Sequence, residues 1–138
     1  MKGLDSLIRI AKWRVDEARR NLAELDRLAE GLRDRLCALD EEVARERTVA
    51  AADPEAARSF AGYRAAAAVR RGRLKESLAD LETRHAAMQE QLNDAYGELK
   101  RYEIAARDKA RREALAVRRA EQAGLDEIGL RVHRAASG

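Results

Sequence analysis

Cysteine, proline, tryptophan and phenylalanine each occur once in 138 residues, and aromatic residues make up 4% of the chain. A lone cysteine, Cys37, excludes an intramolecular disulfide framework. The scarcity of aromatic and β-branched residues argues against sheet structure. A single proline, Pro54, leaves long stretches free to be helical. No run approaches the ~18 apolar residues of a membrane span. The N-terminal MKGLDSLIRIAKWR has no long uncharged apolar core. No secretion signal is therefore expected, and a reducing cytoplasm is the expected compartment. No glycine-rich phosphate loop, CxxC pair or Ser-His-Asp set is present.

What is there is alanine, leucine, arginine and glutamate in a strict rhythm. Steps of three and four residues link Leu4, Ile8, Ala11, Val15, Ala18, Leu22, Leu25, Ala29, Leu32, Leu36, Leu39 and Val43 without a miss. That is the seam of a helix that supercoils against a partner. A second seam follows Pro54: Leu74, Leu78, Leu81, His85, Met88, Leu92, Ala95, Leu99, Tyr102 and Ala106. Phe60 and Ala67 extend it loosely upstream, and past Ala106 its phase slips toward Ala110, Val117 and Gly124.

The expected fold is all-α: a long two-helix antiparallel coiled-coil hairpin whose second helix is longer and overhangs. Helix one spans about 4–51, the turn about 52–54, helix two about 54–124, and a tail about 125–138. The first helix alone would be a rod of roughly 70 Å. Asp53 can cap the second helix, Pro54 suits its first position, and Glu55 complements its dipole. Folding about 51–54 puts Leu36 near Val69, Leu25 near Asp80 and Leu4 near Arg101. The overhang then starts at Tyr102.

Such a rod has a stripe of core and no deep pocket, so an enzyme is not expected, nor is any cofactor or metal. His85 sits on the seam. The expected register faces it with Arg20, which is neither a second ligand nor a carboxylate, so it reads as a tolerated polar core residue. Cys37, among Arg33, Asp34 and Arg35, reads as an ordinary surface thiol. His133 lies between Arg131 and Arg134 with no ligand spacing around it.

Two features lie off the seam. Trp13 faces away from it with Ile10 on the same flank. This marks either contact with a third body or local packing over Arg9 or Glu17. The second is charge. Residues 1–50 hold 11 basic and 11 acidic side chains, residues 51–99 hold 7 and 8, and residues 100–138 hold 10 and 6. The basic excess therefore sits in the overhang. Its simplest interpretation is a solvated helix with intrahelical pairs, such as Asp108 with Arg111 or Arg112. Nucleic acid is electrostatically possible, but no recognition motif accompanies the charge. Leu125, Ile128 and Val132 share one face, which favours a protein partner over phosphate.

The sequence resembles the FliJ family in its start, LIRIAKWRVDEARR from Leu7 to Arg20, in its heptad hairpin, and in Glu98-Leu99-Lys100-Arg101-Tyr102-Glu103 followed by arginines and Leu125-Asp126-Glu127-Ile128. The resemblance covers nearly the whole chain. It implies a soluble, cytoplasmic stalk of the flagellar type III export apparatus, peripherally associated with the inner membrane. Such a stalk inserts into the hexameric export ATPase ring and promotes its assembly and turnover. It also contacts the membrane export gate and the export chaperones. By position, the ring-facing residues would be Ile8, Lys12, Trp13, Arg14, Arg101, Tyr102, Glu103, Arg111, Arg112, Arg118 and Arg119. Phe60 and Tyr63 would be the exposed aromatics of the gate-facing side. No nucleic acid and no direct membrane insertion are implied. The alternatives are a coiled-coil scaffold, adaptor or homodimer without an ATPase partner, an injectisome stalk, and a basic-helix nucleic-acid binder.

Overall fold

The structure is a computed structural model that describes residues 2–137. It contains two helices, α1 (Lys2–Ala52) and α2 (Pro54–Ser137), in an antiparallel coiled-coil hairpin. Asp53 is the one described residue outside them. Proline disfavours the helical region for the residue before it, and Asp53 leaves the helix where the chain turns. Its carboxylate Oδ1 accepts a 3.1 Å hydrogen bond from the Glu55 amide, as an N-cap does. Pro54 stands in the first helical position, where its missing amide hydrogen has no helical partner to lose. Asp53→Ala is expected to lower stability by about 1 kcal/mol, read as a lower urea midpoint. An unchanged midpoint would show that proline alone sets the break.

The chain divides into two compact units. One comprises Trp13–Ala95. On its α1 side Val15, Ala18, Leu22, Ala29 and Leu39 are buried, with Leu25, Leu32, Leu36 and Val43 half-buried between them. On its α2 side Ala67, Leu92 and Ala95 are buried. Residues Leu74, Leu78, Leu81, His85 and Met88 are half-buried. This is the heptad stripe that the sequence spacing predicts.

Three cross-helix polar contacts define the register of this unit. His85 Nε2 lies 3.0 Å from Asp26 Oδ1, Arg71 Nε lies 2.9 Å from Asp40 Oδ1, and Arg33 lies 3.9 Å from Glu82. The expected register is therefore wrong by six residues, because Asp26 rather than Arg20 faces His85. The cause is the one-residue break. With only Asp53 non-helical, helical residues must cross between the two axes, which stand about 8–10 Å apart. Residues 54–59 are exposed apart from Ala56, so they span the tip, and cover along α1 resumes at Phe60. These contacts lie at the surface edge of the seam, where a charged pair is worth at most about 1 kcal/mol, so they select the register more than they stabilise the fold.

The loose upstream seam has a definite form. Phe60, Tyr63, Ala67, Arg71 and Leu74 are all at least half-covered. Their spacing is three, four, four, three. The repeated step of four is a stutter, which locally unwinds the supercoil. Arg71 occupies the extra position. Its aliphatic stem lies along the seam while its guanidinium reaches Asp40.

The other unit comprises Met1–Lys12 and Tyr96–Gly138. Leu4 and Ile8 are half-buried and Ala11 is 1% exposed. Leu99, Tyr102, Ala106 and Lys109 form the matching stripe on α2, each half-buried. The overhang therefore begins at Ala110, not at Tyr102. From Ala110 to Ser137 every residue is exposed, and α2 runs helically through 125–137, the part set apart as a tail.

Candidate functional site

The overhang is built without a core. Its first half, 111–119, carries Arg111, Arg112, Arg118 and Arg119 against a single acid, Glu113. The following stretch, 121–127, carries Glu121, Asp126 and Glu127 and no base. Arg111 sits 4.0 Å from Asp108, and the Arg112 Nε donates to the Asp108 carbonyl at 3.4 Å. Arg131 pairs with Glu127 at 3.0 Å. These are local bonds along one helix, each worth only a few tenths of a kcal/mol. Arg118 and Arg119 make no ion pair among the described residues. Leu125, Ile128 and Val132 stand exposed on one face of the same segment. The helix is thus uncovered, with cations toward one end and an apolar stripe toward the other.

The remaining residues expected at the ring-facing end separate by exposure. Lys12, Arg14 and Arg101 are exposed, and Arg14 has interactions of its own. Trp13 is 60% exposed, so the only tryptophan is not part of the core. Ile8 is a seam residue, half-covered within its unit. Tyr102 and Glu103 are half-covered too, and the Tyr102 hydroxyl donates to Glu98 Oε1 at 3.0 Å. Their covered faces hold the helices together, so only their polar ends can meet a partner.

Phe60 and Tyr63 are not the exposed aromatics that the sequence suggests. Both are half-buried, with ring centroids 6.3 Å apart and planes tilted by 33°. The stutter places both on the covered side of α2. The Tyr63 hydroxyl is buried and approaches Glu42 without a well-formed hydrogen bond. Loss of hydration, and then the carboxylates of Glu42 and Glu46, push its pKa above the ordinary tyrosine value.

Cys37 is exposed, with its Sγ 3.7 Å from Glu41 Oε1. The Glu41 charge and that contact raise the thiol pKa, and Asp40 and Asp34 add to the effect. Less thiolate is present at neutral pH than for a free cysteine, which makes it a poor nucleophile. His85 does face a carboxylate, contrary to the expected register. Among the described residues, however, no three His, Cys, Asp or Glu side chains converge in a way that could hold a metal. Nor is any described helix long and apolar enough to cross a membrane.

The sequence model of one protein family, described as "Flagellar FliJ protein", matches residues 1–138. Two curated relatives, each named Flagellar FliJ protein, come from Caulobacter vibrioides strains NA1000 / CB15N and ATCC 19089 / CB 15. Each is 31% identical over 133 residues, which is 96% of this chain and 94% of the relative. No solved structure matches the chain. The match runs through the hairpin and the overhang alike, and the chain belongs to the FliJ family.

Proposed function

We propose that this chain is the stalk of a flagellar type III export apparatus. It inserts its overhanging end into the hexameric export ATPase, promotes assembly and turnover of the ring, and links the ring to the export gate and the export chaperones. One observation carries this reading above the others. A long helical segment, Ala110–Ser137, stands wholly exposed beyond the last covered seam residue and holds a cluster of four arginines. A helix of this length and composition is marginal alone and gains order from a partner.

The chain is not an enzyme, so it acts through binding free energy. A stalk that fits some subunit conformations better than others shifts their populations, and reciprocally is held more tightly by those states. Arg111, Arg112, Arg118 and Arg119 meet acidic loops of the ring in this reading, with Lys12, Trp13, Arg14 and Arg101 as further contacts. The gate contact falls to the tip side around Phe60 and Tyr63, through the ring edges left uncovered. The protein works in the cytoplasm, held at the inner membrane only through its partners.

The test is ATP turnover of the purified export ATPase with and without this chain. Turnover is expected to rise severalfold, with co-elution of a ring-sized complex. No co-elution and no change in turnover would refute the stalk reading in favour of a scaffold or homodimer.

A further inference from the structure

The two long faces of the Trp13–Ala95 unit differ. One face is bridged by the cross-helix pairs Asp26–His85, Arg33–Glu82 and Asp40–Arg71, with one smaller trough of about 230 Å³ between them. The other carries no cross-helix ion pair among the described residues, and three open troughs follow one another along it. Neighbouring troughs share Arg84 and Arg35, so they form one groove from Asn21 to Glu42 on α1 and from Arg70 to Gln91 on α2. At 1.5 Å per residue the groove is about 33 Å long, or six helical turns.

Sequence explains the groove. Ser77 stands at a flanking position where a coiled coil commonly carries a long charged side chain, and Gly31, Ala38 and Ala87 stand one position further out, so the walls are short there. A Cβ added at Gly31 would meet nothing within 4 Å. The seam residues Leu32, Leu39, Leu74, Leu81 and Met88 form an open floor, and Leu28 stands exposed on its flank. The rim carries Arg27, Arg35, Arg70, Arg73 and Arg84 against Glu24, Glu42 and Asp80. Glu24 is taken by Arg27. Arg35, Arg73 and Arg84 have no ion pair among the described residues. The middle and tip-side troughs, about 380 and 520 Å³, match small-molecule sites in volume. They are elongated and open along one side, which suits a polypeptide instead.

We propose that this groove docks an amphipathic helix of a partner protein, with an apolar stripe on the leucine floor and acidic flanks on Arg35, Arg73 and Arg84. The three-stranded packing that results follows the helix-in-groove mode, with anchors at spacings of three and four. Charge selects this occupant. The rim is net basic, so it repels a basic helix, while an acidic one places carboxylates against guanidinium groups in fork geometry. A second copy of this chain, itself carrying +3, is a poorer match. The surface is separate from the overhang, so it stands or falls independently of the stalk reading.

The probe is a synthetic 18-residue helix with leucines at heptad core positions and glutamates on both flanks. Its controls are the same peptide with lysine flanks and one with serines in place of the leucines. Fluorescence titration of the full chain is expected to show binding of the acidic leucine peptide, at least tenfold tighter than either control and weakening with salt. Arg35→Glu/Arg73→Glu/Arg84→Glu should lose at least tenfold. Gly31→Leu/Ser77→Leu, which fills the groove without changing charge, should lose affinity as well. Circular dichroism checks that both variants remain helical. If they unfold, Arg35→Gln, Arg73→Gln and Arg84→Gln, made singly, are each expected to lose affinity. Three outcomes overturn the proposal: no binding, equal binding of all three peptides, or unchanged affinity in the folded variants. Self-association of the chain through the groove, seen by sedimentation and broken by the same variants, overturns it in favour of a second copy. Tighter binding to anionic vesicles than to the peptide overturns it in favour of lipid.

Discussion

Reversing Arg111, Arg112, Arg118 and Arg119 to glutamate is expected to abolish stimulation of the partner ATPase and to leave the helix content of the chain unchanged. Each reversal removes two units of charge, so the chain moves from +3 to about −5, with the whole change inside nine residues. All four side chains are exposed, and none packs in the seam. Arginine and glutamate have similar helix propensity, so the backbone has little reason to change. The local penalty is small, because Asp108 would face glutamates at 111 and 112 at a few tenths of a kcal/mol each. The partner contact is different. In the proposed contact with acidic loops of the ring, four attractive charges would become four repulsive ones, and like charges set against one another across an interface cost several kcal/mol. Stimulation in the wild type should also weaken as salt rises, on the scale of a Debye length of about 8–10 Å near physiological ionic strength. Circular dichroism and turnover at two salt concentrations check the result. Full stimulation by the reversed chain would show that the basic cluster is merely a solvated face.

Replacing Leu39 with alanine should destabilise the Trp13–Ala95 unit by about 2–3 kcal/mol, at the lower end of the range for core leucines. Leu39 is 4% exposed and lines the tip-side trough with Leu74, so some of the void can collapse. That loss is a large share of the total, since native domains hold only about 0.05–0.15 kcal/mol per residue. Leu28→Ala is the comparison. Leu28 is 49% exposed and off the seam, and its loss should stay within about 0.5 kcal/mol. Urea unfolding followed by circular dichroism measures both. Similar losses at the two positions would mean that the heptad stripe is not the core.

The core of α1 was legible because its spacing has no error over twelve positions, and a stripe of that regularity can be satisfied in only one way. The end of α1 was legible because proline and its preceding residue have few conformations to choose from. The second seam was legible from Leu74 onward. Above it, Arg71 concealed the stutter, because an arginine on the seam breaks a pattern judged by apolar residues alone. The repeated spacing of four between Tyr63, Ala67 and Arg71 was the available signal. Missing it also left Phe60 and Tyr63 looking exposed.

The candidate site was legible in part. The basic excess after residue 100 and the apolar face of Leu125, Ile128 and Val132 are properties of composition and periodicity. Where cover stops is not. It depends on which residues oppose one another, and the two-helix seam allows the strands of the pair to slide by a heptad with little change in apolar contact. Only packing at the tip, where residues 54–59 cross between the axes, sets that offset.

Sequence by itself determined that this chain is two helices broken at Pro54, which side of each helix is buried, and that its cations gather toward the end. These follow from local sterics and from a periodicity that each helix carries alone. The tertiary structure decided the register. With it came Asp26 opposite His85, the beginning of the overhang at Ala110, and one face of the Trp13–Ala95 unit bridged by cross-helix pairs while the other is not. Those features belong to pairs of residues far apart in the chain. Their positions depend on how the turn is built, which no single helix encodes.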